Sequence, residues 1–304
     1  MIVVVAPGQG SQTPGFLSPW LEVDGLREQL GQLGEAAGID LIAHGTTSDE
    51  ATIKDTKVAQ PLIVAASIAT ASALASAHAK PFGATAGHSV GEFAAAAIAG
   101  VLSPEDAMRL VGIRGRAMAD EAAKIHTGMA AVLGGELAEL LPILESHGLY
   151  AANMNGGGQI VIAGESNALA EFSATPPAGI RVISLAVAGA FHTRFMQGAV
   201  DVLRDAATSV TVTDPSLPLY TNRDGSRVAS GVEYRDLLIG QVANPVRWDL
   251  CMESFARDGV TGIIELAPAG ALVGLARRAL KGTPTVAIKT PDDLAAAIEL
   301  LEAS

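Results

Sequence analysis

The residues best suited to covalent chemistry are in the pentapeptide Gly87-His88-Ser89-Val90-Gly91, which follows a short, mostly apolar run at 82–86 and precedes an Ala-rich helical stretch at 93–99. A G-x-S-x-G sequence between a strand and a helix makes a sharp turn that exposes the serine hydroxyl at the helix N-terminus. Glycine suits both ends because a side chain there would clash where strand and helix nearly touch. An ordinary glycine-rich turn shares the pattern, so the groups that a serine needs must be sought elsewhere. A serine hydroxyl is a weak nucleophile without a base in hydrogen-bond reach, usually a histidine oriented by a third group. Of the six histidines, His44, His78, His126 and His147 fall in loop or helix-end contexts where a solvated ring is the default. His88 adjoins Ser89, yet neighbouring side chains diverge at a tight turn, so it reads as a structural hydrogen-bonder. His192, in Ala188-Gly189-Ala190-Phe191-His192-Thr193, lies between a strand and a helix, where it can be a base or a structural residue.

A tetrahedral oxyanion needs preorganised donors, and in such a turn one of them is the backbone NH after the nucleophile, that of Val90. Pro7-Gly8-Gln9-Gly10-Ser11-Gln12 has the glycine content to bring further NH groups close to a ligand, or to be a flexible or phosphate-cradling turn. It lacks the Lys-Ser/Thr ending of a P-loop, which argues against nucleotide binding. On the helix expected at 104–121, Ala107, Leu110, Val111, Arg114 and Met118 recur at three- and four-residue spacing, so Arg114 falls on the inward stripe. Arg109 and Arg116 each have an acid at i,i+4 spacing, Glu105 and Asp120, whereas Arg114 has Val111, Ala117, Leu110 and Met118 around it. A buried guanidinium without a countercharge is costly, so either a distant acid or a ligand carboxylate pairs with it. A bidentate arginine-carboxylate contact would select an acidic acyl group.

These residues need a scaffold. Largely apolar strands at 2–6, 82–86, 262–266 and 285–288 alternate with helices expected at 24–33, 58–79, 91–99, 104–121, 194–207, 234–242, 247–258, 271–280 and 291–301. That rhythm marks an α/β sheet covered on both faces. Between 127 and 187 the order becomes strand 129–133, helix 136–146, strands 150–154 and 159–163, helix 166–173 and strand 181–186. This βαββαβ order is ferredoxin-like and reads as a self-contained small domain inserted in a large one formed by 1–126 and 188–304. The crevice between them is the expected site.

With 304 residues, 49% of them apolar, the chain can bury a large core. A net charge of -12 argues against nucleic acid or an anionic membrane as the main partner. One cysteine, Cys251, excludes an internal disulfide and a multi-cysteine metal site, fits a reducing cytoplasm and reads as a helical core residue. The opening Met1-Ile2-Val3-Val4-Val5-Ala6-Pro7 has no basic n-region and too short an apolar run for a signal peptide, so it reads as a buried strand. The apolar stretch 58–79 contains Gln60, Pro61, Ser67, Thr70, Ser72, Ser76 and His78, which suits a buried helix better than a membrane span.

With Gly8-Gln9-Gly10-Ser11-Gln12, Gly87-His88-Ser89-Val90-Gly91-Glu92, Arg114-Gly115, Ala190-Phe191-His192 and Gln241-Val242-Ala243-Asn244-Pro245-Val246 in this order, nearly the whole chain resembles the acyltransferases that load malonyl groups onto acyl carrier proteins. The resemblance implies an α/β-hydrolase-like large domain with a ferredoxin-like insert. It implies Ser89 as the acylated nucleophile, His192 as the base, Gln241 as the residue whose main-chain carbonyl accepts the His192 ring NH, and the Gln9 and Val90 amides as the oxyanion hole. Arg114 would hold a malonyl carboxylate, and Phe191, where Ser accompanies methylmalonyl, would favour malonyl. The implied reaction is a ping-pong transfer from malonyl-CoA, a coenzyme A thioester, to the phosphopantetheine thiol of an acyl carrier protein in fatty acid or polyketide synthesis. It needs no metal or redox cofactor, in a cytoplasmic enzyme expected to be a monomer. Arg181, Arg277, Arg278 and Lys281 are candidates for docking the acidic carrier. The segment Glu265-Leu266-Ala267-Pro268-Ala269-Gly270 departs from the Gly-Pro-Gly common in the family. The alternative is a serine esterase or thioesterase with the same serine and histidine and water as acceptor.

Overall fold

The computed structural model describes residues 1–78 and 80–303. The strands are β1 Ile2–Ala6, β2 Ala84–Gly87, β3 Thr127–Leu133, β4 Tyr150–Gly156, β5 Gln159–Glu165, β6 Arg181–Ser184, β7 Val246–Arg247, β8 Gly262–Glu265 and β9 Thr285–Ala287. They form two sheets within an α/β architecture that has a large α/β domain and a small ferredoxin-like one. The large sheet runs β2-β1-β8-β9, with all its pairs parallel. Every residue of β1 is buried, as a central strand covered on both faces requires.

The second sheet has the order β6-β3-β5-β4-β7. Its first four strands are antiparallel neighbours joined in the βαββαβ order, but β7 lies parallel to β4, pairing Val246 with Asn153 and Arg247 with Met154. The small sheet is therefore not self-contained. A free β4 edge would leave a row of unpaired backbone groups, and the chain after Asn244-Pro245 supplies a short strand to cover it. The two faces of this sheet go to different cores: Ile160 and Ile162 of β5 pack with Leu140, Leu144 and Phe172, while Val161 and Ala163 join the core of the large domain. The period-two alternation of a strand thus seats the small sheet on the large domain.

Two helices carry much of the site. Thr56–Ala77 begins at Asp55, whose side chain accepts from the Lys57 amide, and is buried on nearly every side. The end expected for it at Ala79 lies outside the described residues. It is long and apolar enough to cross a membrane, yet 83% of its most apolar stretch is buried within the fold. Against it packs Pro104–Ala122, which starts at a Ser103 cap, with Pro104 and two acids in its first turn. Its buried stripe includes Ala107, Leu110, Val111, Arg114 and Met118.

Several local expectations need correction. Arg109 pairs with Asp106 at 2.6 Å, not with Glu105, and Arg116 donates to the Ala37 carbonyl at 3.1 Å, not to Asp120. His78 is buried, and its Nδ1 lies 3.2 Å from the Lys80 carbonyl. The helix expected at 24–33 is Leu26–Ala37, ended by Gly38 in the left-handed conformation. Short helices at Leu41–Thr46 and Glu50–Lys54 have too few turns to show a period.

The elbow depends on its glycines. A Cβ on Gly87 would overlap the Gly91 carbonyl carbon and the Glu92 amide, and one on Gly91 would overlap the Ala6 carbonyl oxygen and come within 2.7 Å of that of Pro7. Gly91→Ala is expected to destabilise the fold by about 2 kcal/mol or more, since backbone cannot yield as a side chain can. Urea unfolding checks this, and an unchanged midpoint would refute it.

Candidate active site

The elbow places Ser89 in the left-handed region at φ 51, and His192 is there too at φ 61. Such conformations cost about 1–3 kcal/mol each in non-glycine residues and persist only where surrounding contacts hold them. Asn222, fully buried, holds the first: its Oδ1 accepts from the Ser89 amide at 2.8 Å and its Nδ2 donates to the Gly87 carbonyl at 2.8 Å. No sequence pattern pointed to Asn222, because its role is made only when the chain near 222 passes under the elbow. His192 is held by its own amide, which donates to the Val242 carbonyl at 3.2 Å.

Ser89 Oγ lies 2.7 Å from His192 Nε2. On the other side of the ring, Nδ1 is 2.9 Å from the Gln241 main-chain carbonyl. A carbonyl can only accept, so Nδ1 carries the proton and Nε2 is left as the acceptor facing the hydroxyl. His88 turns away, with Nε2 2.8 Å from Asn155 Oδ1 and its ring edge-on to Trp248.

Arg114 is 1% exposed. Its Nη1 donates to Gln60 Oε1 at 2.7 Å and its Nη2 to Gln241 Oε1 at 3.0 Å, while its Nε has no partner among the described residues. The acid near Arg114 is Glu92, but the two form no ion pair: the Gln241 side-chain amide intervenes, donating to a Glu92 carboxylate oxygen and accepting from Arg114. Burial lowers the Arg114 pKa to about 9, partly offset by the Glu92 charge.

Ser89, His192 and Arg114 all line one cavity of about 550 Å³. Gln9, Val90 and Phe191 line it too, and Met129, Asn153 and Val161 of the small sheet form its facing wall. The Gln9 and Val90 amides donate to no atom among the described residues. Gln241 stands behind this wall rather than in it. Of the four basic residues expected to meet a carrier, Arg278 lines the cavity; Arg181, Arg277 and Lys281 are exposed. In the departing segment, the Glu265 carboxylate accepts from the amides of Leu272 and Val273 at 3.0 and 2.9 Å, fixing the start of the helix that carries Arg278. Among the described residues, no group of three or more His, Cys, Asp or Glu is placed to hold a metal ion.

The acyl transferase domain model matches residues 3–291. The chain belongs to the acyl transferase domain family. It is 48% identical to the malonyl CoA-acyl carrier protein transacylase of Mycobacterium tuberculosis over 296 residues, covering 97% of this chain and 98% of that protein. Its fold matches the crystal structure of the M. tuberculosis MCAT with a TM-score of 0.95, over 98% of this chain and 99% of that one. It also matches, at 29% identity and a TM-score of 0.93, a malonyl-transacylase solved in complex with its type II PKS acyl-carrier protein, over 98% of this chain and 99% of that one.

In this acyl transferase the His192 imidazole is held in its neutral form. Burial, and secondly the Arg114 charge, push the His192 pKa from 6.5 down to about 3. The ring therefore stays neutral as pH falls through the range where a free histidine charges. Nitrogen-15 shifts of the His192 ring, followed between about pH 5 and 8, are expected to remain those of a neutral Nδ1-protonated tautomer. A protonation midpoint near 6.5 would contradict this account.

Proposed function

We propose that this acyl transferase moves a malonyl group from malonyl-CoA to the phosphopantetheine thiol of an acyl carrier protein, in fatty acid or polyketide synthesis, through an acyl-Ser89 intermediate. The observation that carries the reading is that a Ser89–His192 pair at 2.7 Å shares one cavity with a buried Arg114 whose hydrogen bonds, among the described residues, go to two neutral amide oxygens. Ser89 Oγ attacks the thioester carbonyl while His192 Nε2 takes its proton. Negative charge then gathers on the carbonyl oxygen, toward which the free amides of Gln9 and Val90 donate. The intermediate collapses, the carbon-sulfur bond breaks, and His192 returns the proton to the departing CoA sulfur. The carrier thiol then attacks the acyl-serine as His192 takes the thiol proton and passes it to Ser89 Oγ. The Gln241 carbonyl orients the ring and accepts from the imidazolium that forms in both halves.

Arg114 selects the acyl group. The substrate carboxylate satisfies donors that neutral amides satisfy only in part, and an acetyl group offers no such acceptor. Phe191, buried beside His192, crowds the carbon next to the carbonyl and favours malonyl over methylmalonyl; a hydrophobic contact discriminates one methyl by about 1–3 kcal/mol. Arg278 at the cavity, with Arg277 and Lys281 nearby in sequence and Arg181 on β6, offers positive charge to an acidic carrier despite the net charge of -12. These steps need no metal or redox cofactor, since phosphopantetheine arrives on the partner. We take 127–187 as the small domain, apart from the strand it borrows at 246–247. The single cysteine accords with a cytoplasmic setting.

Ser89→Ala is expected to abolish the malonyl-enzyme adduct that mass spectrometry detects after mixing with malonyl-CoA. Arg114→Ala is expected to lower kcat/KM for malonyl-CoA about a hundredfold, the worth of two hydrogen bonds to a charged group, and to raise acetyl transfer relative to malonyl. Unchanged malonyl kinetics in the arginine variant would remove the selectivity argument.

A further inference from the structure

The transfer steps leave one buried acid unused. Glu92 is 1% exposed and sits in the first turn of the helix Gly91–Ile98, three residues past the nucleophile. Its Oε1 accepts from the Asn222 amide at 2.7 Å and its Oε2 accepts from Gln241 Nε2. Asn222 is the residue that holds the Ser89 backbone, and Gln241 is the one whose carbonyl holds His192. One carboxylate thus contacts both supports of the Ser89–His192 pair.

We propose that Glu92 is the acid of this active site acting at one remove, a positioning residue whose ionised carboxylate orients Gln241 and Asn222 and balances the charges on Arg114 and the His192 imidazolium. The inference rests on the acyl-transfer reading given above. An ionised carboxylate faces donors only, so the Gln241 amide must turn Nε2 toward it and Oε1 toward Arg114, which also offers donors only. The side chain is locked from both ends, and with it the main-chain carbonyl that meets His192. Interposing a neutral amide also keeps the acid from closing an ion pair with Arg114, which would leave the cation less able to take a substrate carboxylate.

The acid has a path to water. A second cavity, of about 450 Å³, has Glu92 and Gln241 in its wall but neither Ser89 nor His192, and its lining extends to Arg223 and Asp236, whose side chains are 49% and 62% exposed. Around Glu92 the charged or titratable groups are Arg114 on the Pro104–Ala122 helix, Tyr234 on Gly231–Gln241 and Cys251 on Trp248–Arg257. Burial drives the Tyr234 and Cys251 pKa values well above their ordinary ranges, that of Arg114 is about 9, and that of His192 is about 3. Glu92, pushed up by burial to about 7 and held back by its donors and by Arg114, is the member of this group that changes charge near neutrality. Its ionised form is the working one, so activity falls as pH drops through its pKa.

The test is the pH profile of kcat/KM for malonyl transfer, taken from about pH 5 to 9. The wild type is expected to show an acid limb with its midpoint near 7. Glu92→Gln, confirmed as folded by circular dichroism, is expected to lose that limb and to fall about tenfold at its plateau, as for one lost hydrogen bond to a charged group. In the wild type, the Glu92 carboxylate followed by carbon-13 NMR is expected to titrate with the same midpoint as the limb, a measurement that decides the matter if the variant does not fold. A limb at the same pH in the wild type and in Glu92→Gln, or a Glu92 carboxylate that titrates well away from the limb, overturns the proposal. Absence of malonyl transfer by the wild type would instead strike the functional reading beneath it.

Discussion

A full positive charge with 1% of its residue exposed is the constraint around which the site is built. Taking a guanidinium out of water costs several kcal/mol even after relaxation, so the surroundings of Arg114 have to return most of that through oriented oxygens and a nearby anion. Gln60 does so from the Thr56–Ala77 helix, Gln241 from Gly231–Gln241, and Glu92 at longer range from Gly91–Ile98. Helices distant along the chain are thereby tied at one point. Since the Gln241 side chain is committed to Arg114 and Glu92, its backbone has little freedom, and its carbonyl meets the His192 ring at 2.9 Å.

The second dependency is steric. β1 and β2 pair in register up to Ala6 and Gly87, where the chain must reverse into a helix within a few residues. Glycine at 87 and 91 permits that approach, and Asn222 pins the strained residue between them. The result aims the Ser89 hydroxyl into the cavity, where the small sheet, seated by one face of β5, supplies the opposite wall. Burial then sets the proton inventory: it keeps His192 neutral and raises Glu92 toward neutrality, so a base and an acid with inverted ordinary preferences sit within two contacts of each other.

Much of this was readable from residue types and spacing. Apolar runs and helical periods were enough for the strands of the large sheet and for every long helix, because a two- or 3.6-residue repeat reports which face is buried. The inward position of Arg114 and its lack of a local acid followed from the same period. The βαββαβ order of the small domain was also visible. What escaped were features with no local signature: the two-residue β7, which exists only because β4 has an open edge; the i−3 partner of Arg109; the burial of His78; and Asn222.

Taken alone, the chain determined where the backbone must bend sharply, which residues face inward and which reactive groups are available, since steric clash and hydrophobic periodicity act over a few residues. Only the tertiary structure decided which of those groups meet: that Arg114 is answered by two amides with an acid one residue beyond, that Gln241 contributes its carbonyl to His192 and its side chain to Arg114, Glu92 and the Ser89 carbonyl, and that Asn222 lies beneath Ser89. Those contacts join segments up to 152 residues apart. Their geometry is set by how packed helices and sheets come to rest against each other, a property of the whole core that no short window of sequence contains.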